Sequence, residues 1–179
     1  MPTQARDRLL KTAEELFYAE GIQAVGVERL LVVSGVGRAS FYRHFAGKDA
    51  LVAAVLKRRG QHWLAWLETA VEGHGGGPLA VFDALADSAQ RGAFHGCAFI
   101  NAMAETADTH SEVYQLARAH KRRIAGYVEG LIKAAGHPRP EALAAEFVLL
   151  MDGATVTAMH ERTGAPALRA RSIAERLLA

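Results

Sequence analysis

The sequence predicts an all-α protein, with three helices in a small head and roughly six more in a larger body. Two observations predict it. Apolar residues recur every three or four positions through nearly the whole chain, the period of a helix with one buried face. No stretch alternates apolar and polar residues as a half-buried strand would, and no repeat or low-complexity tract breaks the pattern.

The first helix is expected from about Gln4 to Ala19, where Leu9, Leu10, Ala13, Leu16 and Phe17 share a face and Gly21 supplies a stop. A two-turn helix is expected over 27–33, broken at Ser34-Gly35, and a third over about 38–44. A long helix over about 48–71 carries Leu51, Val52, Val55, Leu56, Trp63, Trp66 and Leu67 at helical spacing. The strongest punctuation is Gly73-His74-Gly75-Gly76-Gly77-Pro78, short enough to be a loop and not a domain linker. Further helices are expected over roughly 79–91, 98–107, 111–135, 140–162 and 166–178. Ser111 suits an N-cap and Gly136 the position just past a helix end. Pro140 and Pro166 fall in first turns, where a missing N–H costs nothing.

With 179 residues, 50% of them hydrophobic and 22% charged, the chain can bury a sizeable core without disulfides or metals. No apolar run is expected to reach the roughly 20 residues that cross a bilayer. Met1-Pro2-Thr3-Gln4 lacks the basic-then-apolar order of a signal peptide. Cys97 is the only cysteine, so no intrachain disulfide forms and a reducing cytoplasm is the expected location. The net charge of +2 hides an asymmetry: residues 1–60 carry ten Lys/Arg against six Asp/Glu, and the remainder eleven against thirteen. A basic front end suits an anionic partner, although a charge difference of this size is also met on plain solvated faces.

The informative stretch runs from Val27 to Phe45. Two short helices joined at a glycine make a helix-turn-helix. Leu30, Val36, Phe41 and Phe45 can pack both onto the first helix, which leaves Arg38, Ser40, Tyr42, Arg43 and His44 outside. All five donate hydrogen bonds and two are permanently cationic, chemistry that suits a DNA major groove. Lys48 opens the next helix, where its ammonium and the free N–H groups can hold one phosphate together.

Over about residues 6–56 the chain resembles the TetR family of transcriptional regulators. The resemblance rests on Ala13-Glu14-Glu15-Leu16-Phe17, Glu20-Gly21, Ser34-Gly35-Val36 and above all Phe41-Tyr42-Arg43-His44-Phe45 followed by Lys48-Asp49 and Leu51. It implies an all-α homodimer with a three-helix DNA-binding head, residues 1–46, and a ligand-binding and dimerisation body, residues 47–179. It implies that Arg38, Ala39 and Ser40 face bases and that Tyr42, His44 and Lys48 hold phosphates. Gly26 and Gly37 stand where the family usually caps with Ser or Thr, and Leu31 where a small residue is usual. In the body, the segments His95–Glu105, Leu149–Ala154 and Ala174–Leu178 resemble family members more loosely.

Candidates in the body are weighed against plainer roles. Phe147, Gly153, Ala154, Ile173 and Leu177 are the expected dimer contacts, because large apolar and small residues together allow close helix crossing. Trp63, Trp66, Phe99, Met103, Tyr127 and Met151 are the expected ligand contacts, drawn from a set with Phe82, Phe147 and Met159 whose ordinary role is core packing. Asn101, Glu105 and Asp152 are polar candidates for orienting a ligand; their plain roles are a helix cap, a surface carboxylate and an interface hydrogen bond. Cys97 is read as a small hydrophobe before a redox sensor, since no Lys or Arg lies within five residues. The eight histidines show no ligand spacing on one helix, so no metal is expected, and no cofactor is called for.

The function expected is a DNA-binding regulator, a repressor released from a palindromic operator in double-stranded DNA by a small apolar or aromatic effector. No membrane role is expected. The alternative is a helical ligand-binding or adaptor protein with weak or lost DNA binding. An enzyme is not expected: no serine lies in a nucleophile elbow and no glycine-rich phosphate loop follows a strand.

Overall fold

The computed structural model describes residues 2–90, 92 and 94–179, with side chains from Gln4 onward. Among them every regular element is an α-helix: α1 (Pro2–Glu20), α2 (Val27–Ser34), α3 (Arg38–His44), α4 (Lys48–Gly73), α5 (Ala80–Gln90), α6 (Ala98–Ala104), α7 (Glu112–Ala134), α8 (Pro140–Glu161) and α9 (Ala165–Leu178). The all-α fold holds. The expected end of the fifth helix, at residue 91, lies outside the described residues. Ser111 is the N-cap expected of it, its Oγ accepting from the Tyr114 N–H at 3.2 Å.

By internal packing the chain forms two compact units, residues 1–61 with 98–118, and residues 62–97 with 119–179. In the first, α1 packs on α2 and α3. Leu9, Ala13, Leu30, Phe41 and Phe45 are buried, the alignment their spacing predicts. Gly35 ends α2 at φ 63°, a left-handed conformation that glycine adopts without steric cost. The Val36 N–H then reaches the Leu31 carbonyl at 3.3 Å and the Gly35 N–H the Val32 carbonyl at 3.4 Å, the paired bonds of a Schellman end. Two further ties bind this unit. Arg58 donates to Glu14 at 2.5 and 3.1 Å. The Glu105 carboxylate accepts the Ile22 N–H at 3.1 Å and the Gln23 N–H at 2.7 Å, on the turn that leads into α2.

In the second unit α8 packs on α9, and both pack on α5. The core includes Leu67, Val81, Phe82, Ile132 and Phe147, each without solvent exposure. Fully burying side chains of this size stabilises by about 1.5–3 kcal/mol each. Gly164 lets the turn before α9 close on α5, since a Cβ there would stand 2.6 Å from the Ala86 carbonyl oxygen. Arg171 donates to Asp83 at 3.1 Å.

One sequence expectation needs correction. Helix α8 has 22 residues and a window of mean hydropathy 1.5, long and apolar enough on those grounds to span a bilayer. Its apolar residues divide between two directions. Leu143, Phe147, Met151 and Ala154 enter the core of the unit, whereas Leu149 and Val156 remain 74% and 49% exposed. The helix carries apolar residues on two sides, one meeting its own chain and the other left uncovered by it.

Candidate nucleic-acid interface

Helix α3 places the predicted DNA-contacting residues together. Arg38, Ala39, Tyr42 and Arg43 are exposed, Ser40 and His44 are half-buried, and half-buried Lys48 opens α4. Beneath them Phe41 is fully buried, its ring 5.1 Å from that of Tyr42 and 6.0 Å from that of Phe45. The two aromatic anchors hold α3 by its inner face and leave its polar face outward. Gly26 and Gly37 cap α2 and α3 in extended conformation with no side-chain hydrogen bond, so the glycines serve by backbone alone. His44 is less available than its spacing suggests, for its Nε2 is buried without a partner. Any outward contact from this ring falls to Nδ1. Sequence reasoning missed Glu28: Arg38 donates to its carboxylate from the first residue of α3.

The six candidate ligand residues do not fall in one unit. Phe99, buried, and Met103, half-buried, belong to the first; Trp63, Trp66, Tyr127 and Met151 belong to the second. In the second, the rings of Trp63 and Trp66 stand 5.8 Å apart and His120 meets Trp63 edge-on at 5.5 Å. Met151 belongs to the core cluster. Phe82 and Phe147 pack ring to ring at 5.4 Å, which makes them core. Burial, then the charges of Glu68 and Glu72, raise the Tyr127 pKa, so its hydroxyl keeps its proton. Asp152 is paired with Lys121 of the same chain. Glu105 is committed to the Ile22 and Gln23 N–H groups, and Asn101 lines a pocket of about 20 Å³ with Phe17 and Tyr18, room for one water. Cys97 is half-buried.

Of the expected dimer contacts, Gly153, Ile173 and Leu177 are exposed, but Phe147 and Ala154 are turned into the core of their own unit. The largest exposed apolar residues of α8 and α9 are instead Leu149 at 74%, Leu168 at 50% and Val156 at 49%.

The position of His120 carries a signal of burial: it lies at helical spacing with Ala117, Ile124 and Val128 on the buried side of α7. Burial, and then the charges of Lys121 and Arg123, lower its pKa to about 4 from 6.5. The unfolded chain therefore takes up this proton first, and stability is lost as pH falls from about 6.5 towards about 4. Between pH 7 and pH 5 the expected loss is on the order of 2 kcal/mol. Urea melts at one protein concentration check this: His120→Gln should lack that part of the pH dependence. Equal losses in both proteins would show that the imidazole is not buried neutral.

The chain is similar to proteins of one family. Residues 9–55 match the family model of bacterial regulatory proteins, tetR family. A TetR-family transcriptional regulator of Streptomyces coelicolor superposes with a TM-score of 0.89 at 33% identity, over 98% of this chain and 96% of that one. This chain belongs to the TetR family. A family regulator from Streptomyces avermitilis aligns at 27% identity with a TM-score of 0.85, over 97% of each chain. The transcriptional repressor NemR of Escherichia coli K12 is 30% identical over 116 residues, 60% of this chain and 57% of the repressor. The match thus spans little more than half the length of the curated relative. TetR-family regulators bind DNA and small-molecule effectors and form dimers; they are not enzymes.

Proposed function

We propose that this chain is a sequence-specific DNA-binding regulator, a repressor released from a palindromic operator by a small apolar or aromatic effector. The observation that carries the reading is the polar outer face of α3 above its buried Phe41 and Phe45 anchors. Arg38, Ala39 and Ser40 are assigned to bases, Tyr42, His44 and Lys48 to the backbone, and Arg43 to the DNA-facing surface beside them. Residues 1–46 are proposed as the DNA-binding part and 47–179 as the ligand-binding and dimerisation part. The uncovered face of α8 and α9, with Leu149, Gly153, Val156, Ile173 and Leu177, is proposed to meet its own copy across a two-fold axis. Trp63, Trp66 and Tyr127 are proposed as effector contacts, their apolar rings favouring an aromatic or aliphatic ligand over a sugar or phosphate.

Operator binding measured against salt tests the assignment. Lys48→Ala should weaken binding to all sequences alike and reduce the slope of log affinity against log salt by about 1, one phosphate contact being lost. Arg38→Ala should relax base preference at one position per half-site, costing about 1–3 kcal/mol. If both variants lose only sequence-independent affinity, Arg38 does not read bases. Apolar metabolites that quench Trp63 and Trp66 fluorescence belong in the same assay. Those that bind should weaken operator binding, and operator should weaken theirs by the same factor; quenching with unchanged operator affinity would remove these residues from the regulatory site.

A further inference from the structure

We infer that Glu28 is a specificity-determining residue of the DNA interface proposed above: from the first turn of α2 its carboxylate holds the Arg38 guanidinium in place to read guanine. The inference rests on that reading. Glu28 and Arg38 lie ten residues apart on separate helices, joined through the fixed Gly35 turn. Their side chains are 70% and 59% exposed, so the pair contributes little to stability and needs another reason to be set here.

Four physical consequences point to base reading. Arg38 is a cation at the positive end of α3, whose cap Gly37 offers no side chain, and the Glu28 carboxylate offsets that placement. A long arginine side chain loses rotamer freedom on binding, and a carboxylate that already orients it reduces what binding must spend. The contact engages one nitrogen, Nη2, of a group with five N–H donors, so donors remain for the O6 and N7 atoms of guanine. The Glu28 charge also repels phosphate, which disfavours the backbone as a partner for Arg38. Glu28 should therefore lower affinity for DNA in general while sharpening the choice of base. A residue that only held the fold together would not separate those two effects.

The test is selection from a random duplex library, read by sequencing, with wild type, Glu28→Gln, Arg38→Ala and the double variant. Affinity for random-sequence DNA is measured beside it. Wild type should select guanine at one position per half-site, and Arg38→Ala should lose that preference, about 5- to 150-fold. Glu28→Gln should lower the same preference by about twofold or more, the floor for residues in direct contact. It should leave the other positions intact and bind random DNA at least as tightly as wild type. In the Arg38→Ala background Glu28→Gln should change no base preference. Full guanine preference in Glu28→Gln, or an equal flattening of every position, would overturn the positioning role while the operator stands. A wild-type protein that selects no sequence would overturn the DNA-binding reading, and this inference with it.

Discussion

Gly153→Arg is expected to turn a dimer into a monomer and to lower operator affinity about 100-fold or more. Gly153 lies on the exposed side of α8, and a Cβ added there meets nothing within 4 Å. The arginine can be accommodated by an isolated protomer and has the better helix propensity. Four residues before it and three after, Leu149 and Val156 leave 74% and 49% of their surface uncovered, and on α9 Ile173 leaves 41%. A two-fold contact brings the same patch of both copies together, so one substitution sets two guanidinium groups against each other in an apolar interface. Operator binding suffers because two linked heads gain about 10²–10⁴ in avidity over one, provided they can reach half-sites about 34–36 Å apart. Sedimentation at micromolar concentration, with operator titration beside it, gives the answer. A wild-type monomer, or a variant that still dimerises, would remove this face from the assembly.

Phe147→Ala is expected to cost the protomer about 3–5 kcal/mol, the usual range for emptying a buried phenylalanine site. The measurement belongs in the Gly153→Arg background, where unfolding is not linked to dissociation. Phe147 has no exposed surface within its own chain and packs on Phe82 at 5.4 Å. A residue that acted only across the dimer would leave a monomer's stability unchanged. Urea unfolding separates the two roles, and a loss below about 1 kcal/mol would return Phe147 to the interface.

These two residues mark where sequence reasoning succeeds and where it stops. Phe147 and Gly153 sit six positions apart on a helix that carries apolar residues on both its buried and its exposed side. Length and composition make α8 a helix, but with apolar residues on both sides its spacing cannot say which side meets the chain and which a second copy. The candidate ligand residues show the same limit. Each lies at the spacing of a buried face, yet Phe99 and Met103 fold into one unit and Trp63, Trp66, Tyr127 and Met151 into the other.

By itself the sequence determined the helices, the turn at Gly35 and the polar outer face of α3. All of these depend on residues within a turn or two of one another: a glycine free to go left-handed, and aromatic anchors at Phe41 and Phe45 that bury one side of a short helix. Tertiary structure alone decided that Phe147 faces inward and Leu149 outward, that His120 meets Trp63 edge-on, and that Glu28 meets Arg38. Those outcomes depend on which helix lies against which. That choice comes from the summed packing of residues far apart in the chain, and no local spacing encodes it.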